Sequence, residues 1–193
     1  MNDQLLKDFF LVGGTALALQ LGHRISIDLD LFTQLPFDQN FLLAELESKY
    51  KFQLDYESKN TLKGEIKNVK VDFIAHNYPL VKPLIQKEGV RMASPEDIAA
   101  MKLNAVSGNG TRLKDFIDIA YLSPILTLSQ MVAAYEGKYV SRNPLMLLKA
   151  LDYHNDINFK EIIEMLDGKY QWENVENRLS QMTRFPKKLF PQL

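Results

Sequence analysis

The chain contains no cysteine among its 193 residues. Disulfides, zinc–thiolate sites, iron–sulfur clusters and thiol nucleophiles are therefore excluded. The chain also lacks the ~18–20 consecutive uncharged apolar residues that a transmembrane helix requires. Its first residues, MNDQLLKDFF, include acidic side chains and do not resemble a secretory signal. We therefore expect a cytoplasmic protein that does not contact a membrane.

A strong excess of one charge is also missing. There are 23 Lys plus Arg and 24 Asp plus Glu, which gives a formal net charge of -1. This balance argues against a histone-like or ribosomal nucleic-acid binder, although it is compatible with a local basic patch. Hydrophobic residues make up 46% of the chain, enough to form one domain or two small domains that share a core.

The hydrophobic pattern changes near Ser94. Before this residue the pattern predicts short strands and helices in alternation, and after it the periodicity is almost wholly helical. The predicted strands cover residues 9–12, 26–32, 51–57, 61–66 and 69–75, and the predicted helices cover residues 15–21, 38–49, 94–107, 112–122, 127–137, 143–153, 159–167 and 171–183. The sequence therefore predicts an α+β fold. A small mixed sheet with flanking helices forms an α/β core over residues 1–93, and a helical region over residues 94–193 packs on it.

Two carboxylates lie on one face of the predicted strand 26–32, which alternates strictly between apolar and polar residues. Asp28 and Asp30 are two residues apart, so their Cα atoms are about 6.5 Å apart and their side chains point the same way. Solvent, a basic neighbour or a divalent cation relieves the repulsion between two such carboxylates. Taken alone, the pair is more typical of a solvated strand face.

The motif Gly13-Gly14-Thr15 lies between an apolar strand and a helix. Glycine lets the backbone approach a ligand closely, and the start of a helix offers free N–H groups and the positive end of its dipole. The motif is therefore compatible with a phosphate cradle, and also with a tight strand-to-helix turn.

A third carboxylate, Asp72, lies on the predicted strand 69–75 and faces away from its apolar side. If this strand neighbours the strand of Asp28 and Asp30, three carboxylates converge. Three carboxylates can hold two Mg²⁺ ions, or Mn²⁺ in their place, which clamp a triphosphate and activate a hydroxyl. The alternative is an ordinary aspartate on an edge strand.

The segment LVGGTALALQLGHRISIDLDLF resembles the first motif of the nucleotidyltransferases of the DNA polymerase β type. More narrowly, it resembles the AbiEii/AbiGii toxin family, whose pattern is a glycine turn followed by Arg-x-Ser/Thr-x-Asp-hydrophobic-Asp. Arg24, Ser26, Asp28 and Asp30 stand at those positions. The segments SPEDIAAMK at residues 94–102 and RLKDFID at residues 112–118 are similar to two later motifs of the family. The resemblance covers residues 9–122.

This resemblance implies a polymerase β-like fold and the transfer of a nucleoside monophosphate from an NTP to an acceptor hydroxyl, with pyrophosphate leaving. It implies catalytic roles for Asp28, Asp30, Asp72, Lys102 and Asp118, of which the first three also bind metal. It implies nucleotide contacts from Gly13, Gly14, Thr15, Arg24, Ser26, Lys102 and Asp115. Without the resemblance, Lys102 is a lysine at the edge of the apolar face of its predicted helix, with its ammonium directed to solvent. The acids of helix 112–122 then form ordinary ion pairs with basic residues three or four positions away.

The resemblance also implies an RNA acceptor, such as the 3′ end of tRNA, and a toxin that is neutralised by an antitoxin protein. A protein or small-molecule acceptor remains an alternative, as does a nucleotide-binding module without catalysis if Asp72 lies away from Asp28 and Asp30. Arg142, Lys187 and Lys188 are basic but form no dense run. None of the three histidines has a partner pattern, and we expect His23 on the surface.

Overall fold

The computed structural model describes residues 3–140 and 144–193, with Pro144 described by its backbone alone. After a 3₁₀ turn (Gln4–Leu6), the strands are β1 (Phe10–Val12), β2 (Leu29–Thr33), β3 (Gln53–Ser58), β4 (Thr61–Ile66), β5 (Val69–Ala75), β6 (Ile85–Lys87) and β7 (Val90–Met92). The helices are α1 (Gly13–Leu21), α2 (Gln39–Tyr50), α3 (Pro95–Gly108), α4 (Leu113–Leu122), α5 (Leu128–Lys138), α6 (Pro144–Leu151) and α7 (Trp172–Arg184). Arg142 and Asn143 lie outside the described residues.

The strands form one mixed sheet in the order β3-β4-β5-β2-β1-β7-β6. β1 runs antiparallel to β2 and parallel to β7, and β2 runs parallel to β5. In the register between β2 and β5, Asp30 lies directly opposite Asp72. The strand neighbourhood on which the three-carboxylate prediction depends is therefore present.

Local signals place the helix ends well. The side chain of Asp38 accepts a hydrogen bond from the N–H of Phe41 at the start of α2, and Ser94 accepts one from the N–H of Asp97 at the start of α3. Gly22 ends α1 in the left-handed conformation, at a φ of 65°. These caps satisfy backbone groups that a helix end leaves free, and the helix ends can therefore be located from the capping residues in the sequence.

One apolar core runs through both predicted regions of the chain. Leu31, Val71 and Phe73 are buried in it. Because side chains alternate along a strand, this burial turns Asp30 and Asp72 to the opposite face of the sheet. Within this core, α3 packs against α1, α4 and α5.

The predicted helix over residues 159–167 is wrong. The structure has no helix there, and Met165 instead forms a β-bridge with Arg24. The N–H of Ile25 donates to the carbonyl of Glu164, and the N–H of Leu166 donates to the carbonyl of His23. Pairing with a distant segment satisfies the backbone groups that a helix would satisfy internally.

Two further details differ from the expectation. The strand predicted over residues 26–32 begins only at Leu29, so Asp28 lies in the segment before it and Ile27 is exposed rather than packed. The hairpin of β6 and β7 was not predicted, because its strands have three residues each. β7 nevertheless extends the sheet, since Met92 pairs with Leu11 of β1.

Across residues 3–140 and 144–193, every helix is too short or too polar to cross a lipid bilayer.

Candidate active site

Two carboxylates meet at the centre of the sheet. Asp30 on β2 and Asp72 on β5 are direct neighbours across a parallel strand pair. Burial raises the pKa of the Asp30 carboxyl, and the negative charge of Asp72 raises it further, against the smaller opposing effects of Lys102 and Arg112. The Asp72 carboxylate is 2.7 Å from Nζ of Lys63 on β4. Asp30 is thus the member of the pair with the least compensated charge.

Asp28, in contrast, is exposed and belongs to the segment that precedes β2. Thr15, the third residue of α1, holds this segment in place. Its buried hydroxyl donates to the carbonyl oxygen of Asp28 and lies 2.9 Å from Oγ of Ser26. Within the described residues, the hydroxyl that the sequence assigned to phosphate binding therefore positions the Asp28 backbone.

The donor set suits a hard divalent cation. Asp30 and Asp72 offer carboxylate oxygens side by side, which are the ligands that Mg²⁺ and Mn²⁺ prefer. The raised pKa of Asp30 marks a negative charge that a bound cation would compensate. Among the described residues, no three Asp, Glu or His side chains are already gathered as a metal site. Asp30 and Asp72 can share a cation, and Asp28 lies two residues before Asp30 on the exposed segment that precedes β2.

The glycine turn is packed tightly against these groups. Gly13 begins α1 at a φ of 69°, and a side-chain Cβ at this position would overlap the carboxylate of Asp30. A Cβ on Gly14 would overlap the guanidinium of Arg24. Among the described residues, no side chain caps the start of α1, so its first N–H groups are available to an anion beside Asp30.

Replacing Gly13 with alanine is expected to lower the free energy of unfolding by about 1–3 kcal/mol, since a non-glycine residue is strained at a positive φ. The displaced Asp30 should also reduce binding of Mg²⁺–NTP. Urea unfolding and nucleotide titration would measure both effects. Gly137→Ala in α5, where no atom of the described residues lies within 4 Å of the new Cβ, is the matched control and should leave stability unchanged or raise it. A Gly13→Ala variant as stable as the wild type would contradict this packing.

A buried ion network backs the site. Asp118 accepts hydrogen bonds from Nε and Nη2 of Arg24 at 2.7 and 2.9 Å, and its Oδ1 is 2.9 Å from Nε2 of His23. Nζ of Lys102 is 2.6 Å from Asp115 and 2.7 Å from Asp118. All five side chains are buried. The network joins α3 and α4 to the segment between α1 and β2.

The charges in this network stabilise one another. Burial opposes the charged form of Lys102, but the charges of Asp118 and Asp115 outweigh it and raise the pKa of the ammonium. Burial would raise the pKa of Asp118, but Lys102, together with Arg24 and His23, brings that pKa well below its ordinary value. All of the network's acids and bases except His23 are residues that the sequence analysis singled out.

His23 was expected on the surface, and this prediction is wrong, because its side chain is buried against Asp118 and packs on Tyr121. Its position directly before Arg24, after an apolar helix, was the available signal. Arg112 was also missed as a site residue. It lines a cleft together with Gly13, Asp30 and Lys102, and its Nε is 3.4 Å from Asp115.

A family model described as the nucleotidyl transferase AbiEii toxin of a type IV toxin–antitoxin system matches residues 1–52 and 46–185. The chain belongs to this AbiEii family. The uncharacterized protein aq_aa25 of Aquifex aeolicus (strain VF5) is 32% identical over 178 residues, which cover 89% of this chain and 84% of that protein. The AbiEii match makes the chain a nucleotidyltransferase, as its sequence motifs predict.

Solved structures share the fold of this AbiEii protein. JHP933 from Helicobacter pylori aligns with a TM-score of 0.59 and 20% identity over 94% of this chain and 84% of that chain. MenT4, the nucleotidyltransferase toxin Rv2826c from Mycobacterium tuberculosis H37Rv, aligns with a TM-score of 0.61 and 16% identity over 94% of this chain and 76% of that chain. The predicted polymerase β-like nucleotidyltransferase fold is confirmed.

Of the predicted site residues of this AbiEii protein, Gly13, Gly14, Asp30, Lys102 and Asp115 line a cleft of about 270 Å³, and Asp28, Asp72 and Asp118 are not among its lining residues. Lys102 and Arg112 line it on either side of their shared partner Asp115. The rings of Phe32, His76 and Tyr139 line it as well. The cleft thus joins the Asp30 carboxylate, the start of a helix and two cations in one concave site, which is what binding a nucleoside triphosphate requires.

Proposed function

We propose that this AbiEii protein transfers a nucleoside monophosphate from an NTP to an acceptor hydroxyl in a Mg²⁺-dependent reaction, as the toxin of a toxin–antitoxin pair. The acceptor that we favour is RNA, at the 3′ end of tRNA. The observation that carries the proposal is the direct pairing of Asp30 with Asp72 at the start of α1. This pairing favours catalysis over nucleotide binding alone.

In this proposal the triphosphate lies along the cleft. The first N–H groups of α1, at Gly13 and Gly14, donate to phosphate oxygens, and Arg112 at the rim attracts the negative charge. When Mg²⁺ is bound, Asp30 and Asp72 hold it with Asp28 near by, and it supplies charge neutralisation at the reacting phosphate. Mn²⁺ has the same preference for carboxylate oxygens.

The transfer itself needs one proton acceptor and one stabilised leaving group. Asp72 accepts the proton of the acceptor hydroxyl while the oxygen of that hydroxyl forms a bond to the α-phosphorus. The bond from that phosphorus to the pyrophosphate oxygen breaks, and Lys102 balances the charge of the departing pyrophosphate. Asp118 and Asp115 hold Lys102 at the cleft wall for this purpose.

A local basic patch supports an RNA acceptor. Arg184 and Lys188 lie over the ring of Phe185, at 5.4 and 5.9 Å from its centroid, and this ring is 47% exposed. Cations around an exposed aromatic ring form a surface on which RNA bases stack and phosphates bind. The N–H of Ser129, at the start of α5, donates to the carbonyl of Pro186. Tyr139, which directly follows the other end of α5, lines the cleft, so the patch and the cleft lie at opposite ends of this helix.

The test is a transfer assay with each labelled NTP in turn, Mg²⁺, and total RNA, purified tRNA or no acceptor. We expect label in tRNA with the wild type and with Asp55→Ala, an exposed control on β3, but not with Asp28→Ala/Asp30→Ala. Label on the protein itself would instead indicate protein nucleotidylation. Absence of all transfer, with Mg²⁺–NTP binding intact, would overturn the proposal in favour of a binding module or a small-molecule acceptor.

A further inference from the structure

The sheet face that carries the two carboxylates becomes aromatic farther along. Phe32 follows Asp30 by two residues on β2, so both side chains share one face, about 7 Å apart. His76 directly follows β5, and its N–H donates to the carbonyl of Thr33 at 2.7 Å, which continues the strand pairing. Its even spacing from Asp72 places it on the same face. The cleft therefore extends from the carboxylate of Asp30 to the rings of Phe32 and His76.

Three rings that line the cleft pack on one another and are here called the aromatic wall (Phe32, His76 and Tyr139), in which Tyr139 is only 3% exposed. The ring centroids of Phe32 and His76 are 5.2 Å apart, and those of His76 and Tyr139 are 6.2 Å apart. Burial lowers the pKa of His76 to about 4, and the positive charge of Lys138 acts in the same direction, against a weaker opposite effect of Asp97. At neutral pH the wall is uncharged and lines the cleft.

A hydrogen-bond acceptor on α3 lies next to the same cleft. Asn104 lies one turn after Met101, and both residues line the cleft. Its Oδ1 is buried and has no hydrogen-bond partner among residues 3–140 and 144–193. A buried acceptor without a donor is costly, and a ligand N–H would satisfy it.

We propose that the aromatic wall and Asn104 form a subsite for a nucleobase. The inference rests on the proposed function, which places phosphates at the start of α1. A flat heteroaromatic ring packs on the neutral wall, and its amino or imino N–H donates to Oδ1 of Asn104. Either the base of the NTP or the terminal base of the RNA acceptor has this chemistry.

The experiment compares equilibrium binding to the wild type, His76→Leu, Asn104→Leu and Tyr56→Leu in Mg²⁺. Tyr56 is an exposed aromatic residue on β3, outside the cleft, and serves as the control. The probes are the four NTPs, inorganic tripolyphosphate and a short RNA with each of the four bases at its 3′ end. Thermal unfolding of each variant reports whether it is folded. Asn104→Leu should be as stable as the wild type, because it removes an unsatisfied acceptor.

We expect His76→Leu to weaken the binding of base-containing probes by about 5- to 100-fold and to leave the binding of tripolyphosphate unchanged. Asn104→Leu should also reduce the differences among the four bases. An effect on NTPs assigns the subsite to the donor, and an effect on RNA assigns it to the acceptor. Equal binding of NTPs and RNA by wild type and both variants would overturn the subsite, whereas failure of the wild type to bind any probe would overturn the proposed function as well.

Discussion

Replacing Asp118 with alanine is expected to lower the free energy of unfolding by about 3–5 kcal/mol. Asp118 is fully buried and pairs with Arg24, Lys102 and His23. Its removal leaves two buried cations with only Asp115 as a carboxylate partner, and an uncompensated buried charge is among the most costly defects in a folded protein. Urea unfolding followed by circular dichroism would measure the loss.

The control for this variant is an ion pair of similar length on the surface. Glu45 and Lys49 are 2.8 Å apart on α2, and their side chains are 34% and 47% exposed, so Glu45→Ala should cost well under 1 kcal/mol. The wild type also loses the Asp118 contribution as the pH falls below about 4, since the folded-state pKa of this acid lies under its ordinary value. Asp118→Ala should lack that acid-sensitive part. A loss as small as that of Glu45→Ala would show that the network does not support the fold.

Replacing Asp30 with asparagine is expected to have opposite effects on activity and stability. Nucleotidyl transfer should fall by about 10²–10³-fold, since the amide removes a charged group from the reacting centre. The unfolding free energy at pH 7 should rise, because the charged form of Asp30 is disfavoured by burial and by Asp72. The amide matches the carboxylate in shape and fits the space beside Gly13.

The pH dependence gives this prediction its sign. Because the folded-state pKa of Asp30 lies above its ordinary value, protonation favours the folded protein, and the wild type recovers the lost stability as the pH falls through that raised pKa. The advantage of Asp30→Asn should therefore shrink in acid. In addition, Mg²⁺ should raise the melting temperature of the wild type more than that of the variant. Unchanged transfer, or a variant less stable at pH 7, would contradict the assignment of this site.

The parts of the site that can be predicted from the sequence are those that depend on residues close to one another in the chain. The alternation around Asp30, the glycine turn and the Ser94 cap each depend on neighbours within a few residues. The pairing of Asp30 with Asp72 was stated as a condition, since strand order is not visible in periodicity, and the structure meets it.

What the sequence did not predict depends on distant partners. The aromatic wall brings Phe32, His76 and Tyr139 together from two strands and the end of a helix. The pattern at residues 159–167 suited a helix, but pairing with the segment around Arg24 decided its conformation. Helical propensity amounts to a few tenths of a kcal/mol per residue, so such tertiary contacts readily override it.

The β-bridge between Arg24 and Met165 limits how this chain can be divided. Arg24 is also bound to Asp118, so the segment between α1 and β2 is held by two later parts of the chain. A cut near residue 93 would separate the glycine turn and Asp30 from the partners that fix their surroundings. The sheet and the helices are therefore not interchangeable modules. A chimera that joins this sheet to helices from a relative would have to carry over both the acid on α4 and the strand-like segment at residues 164–166.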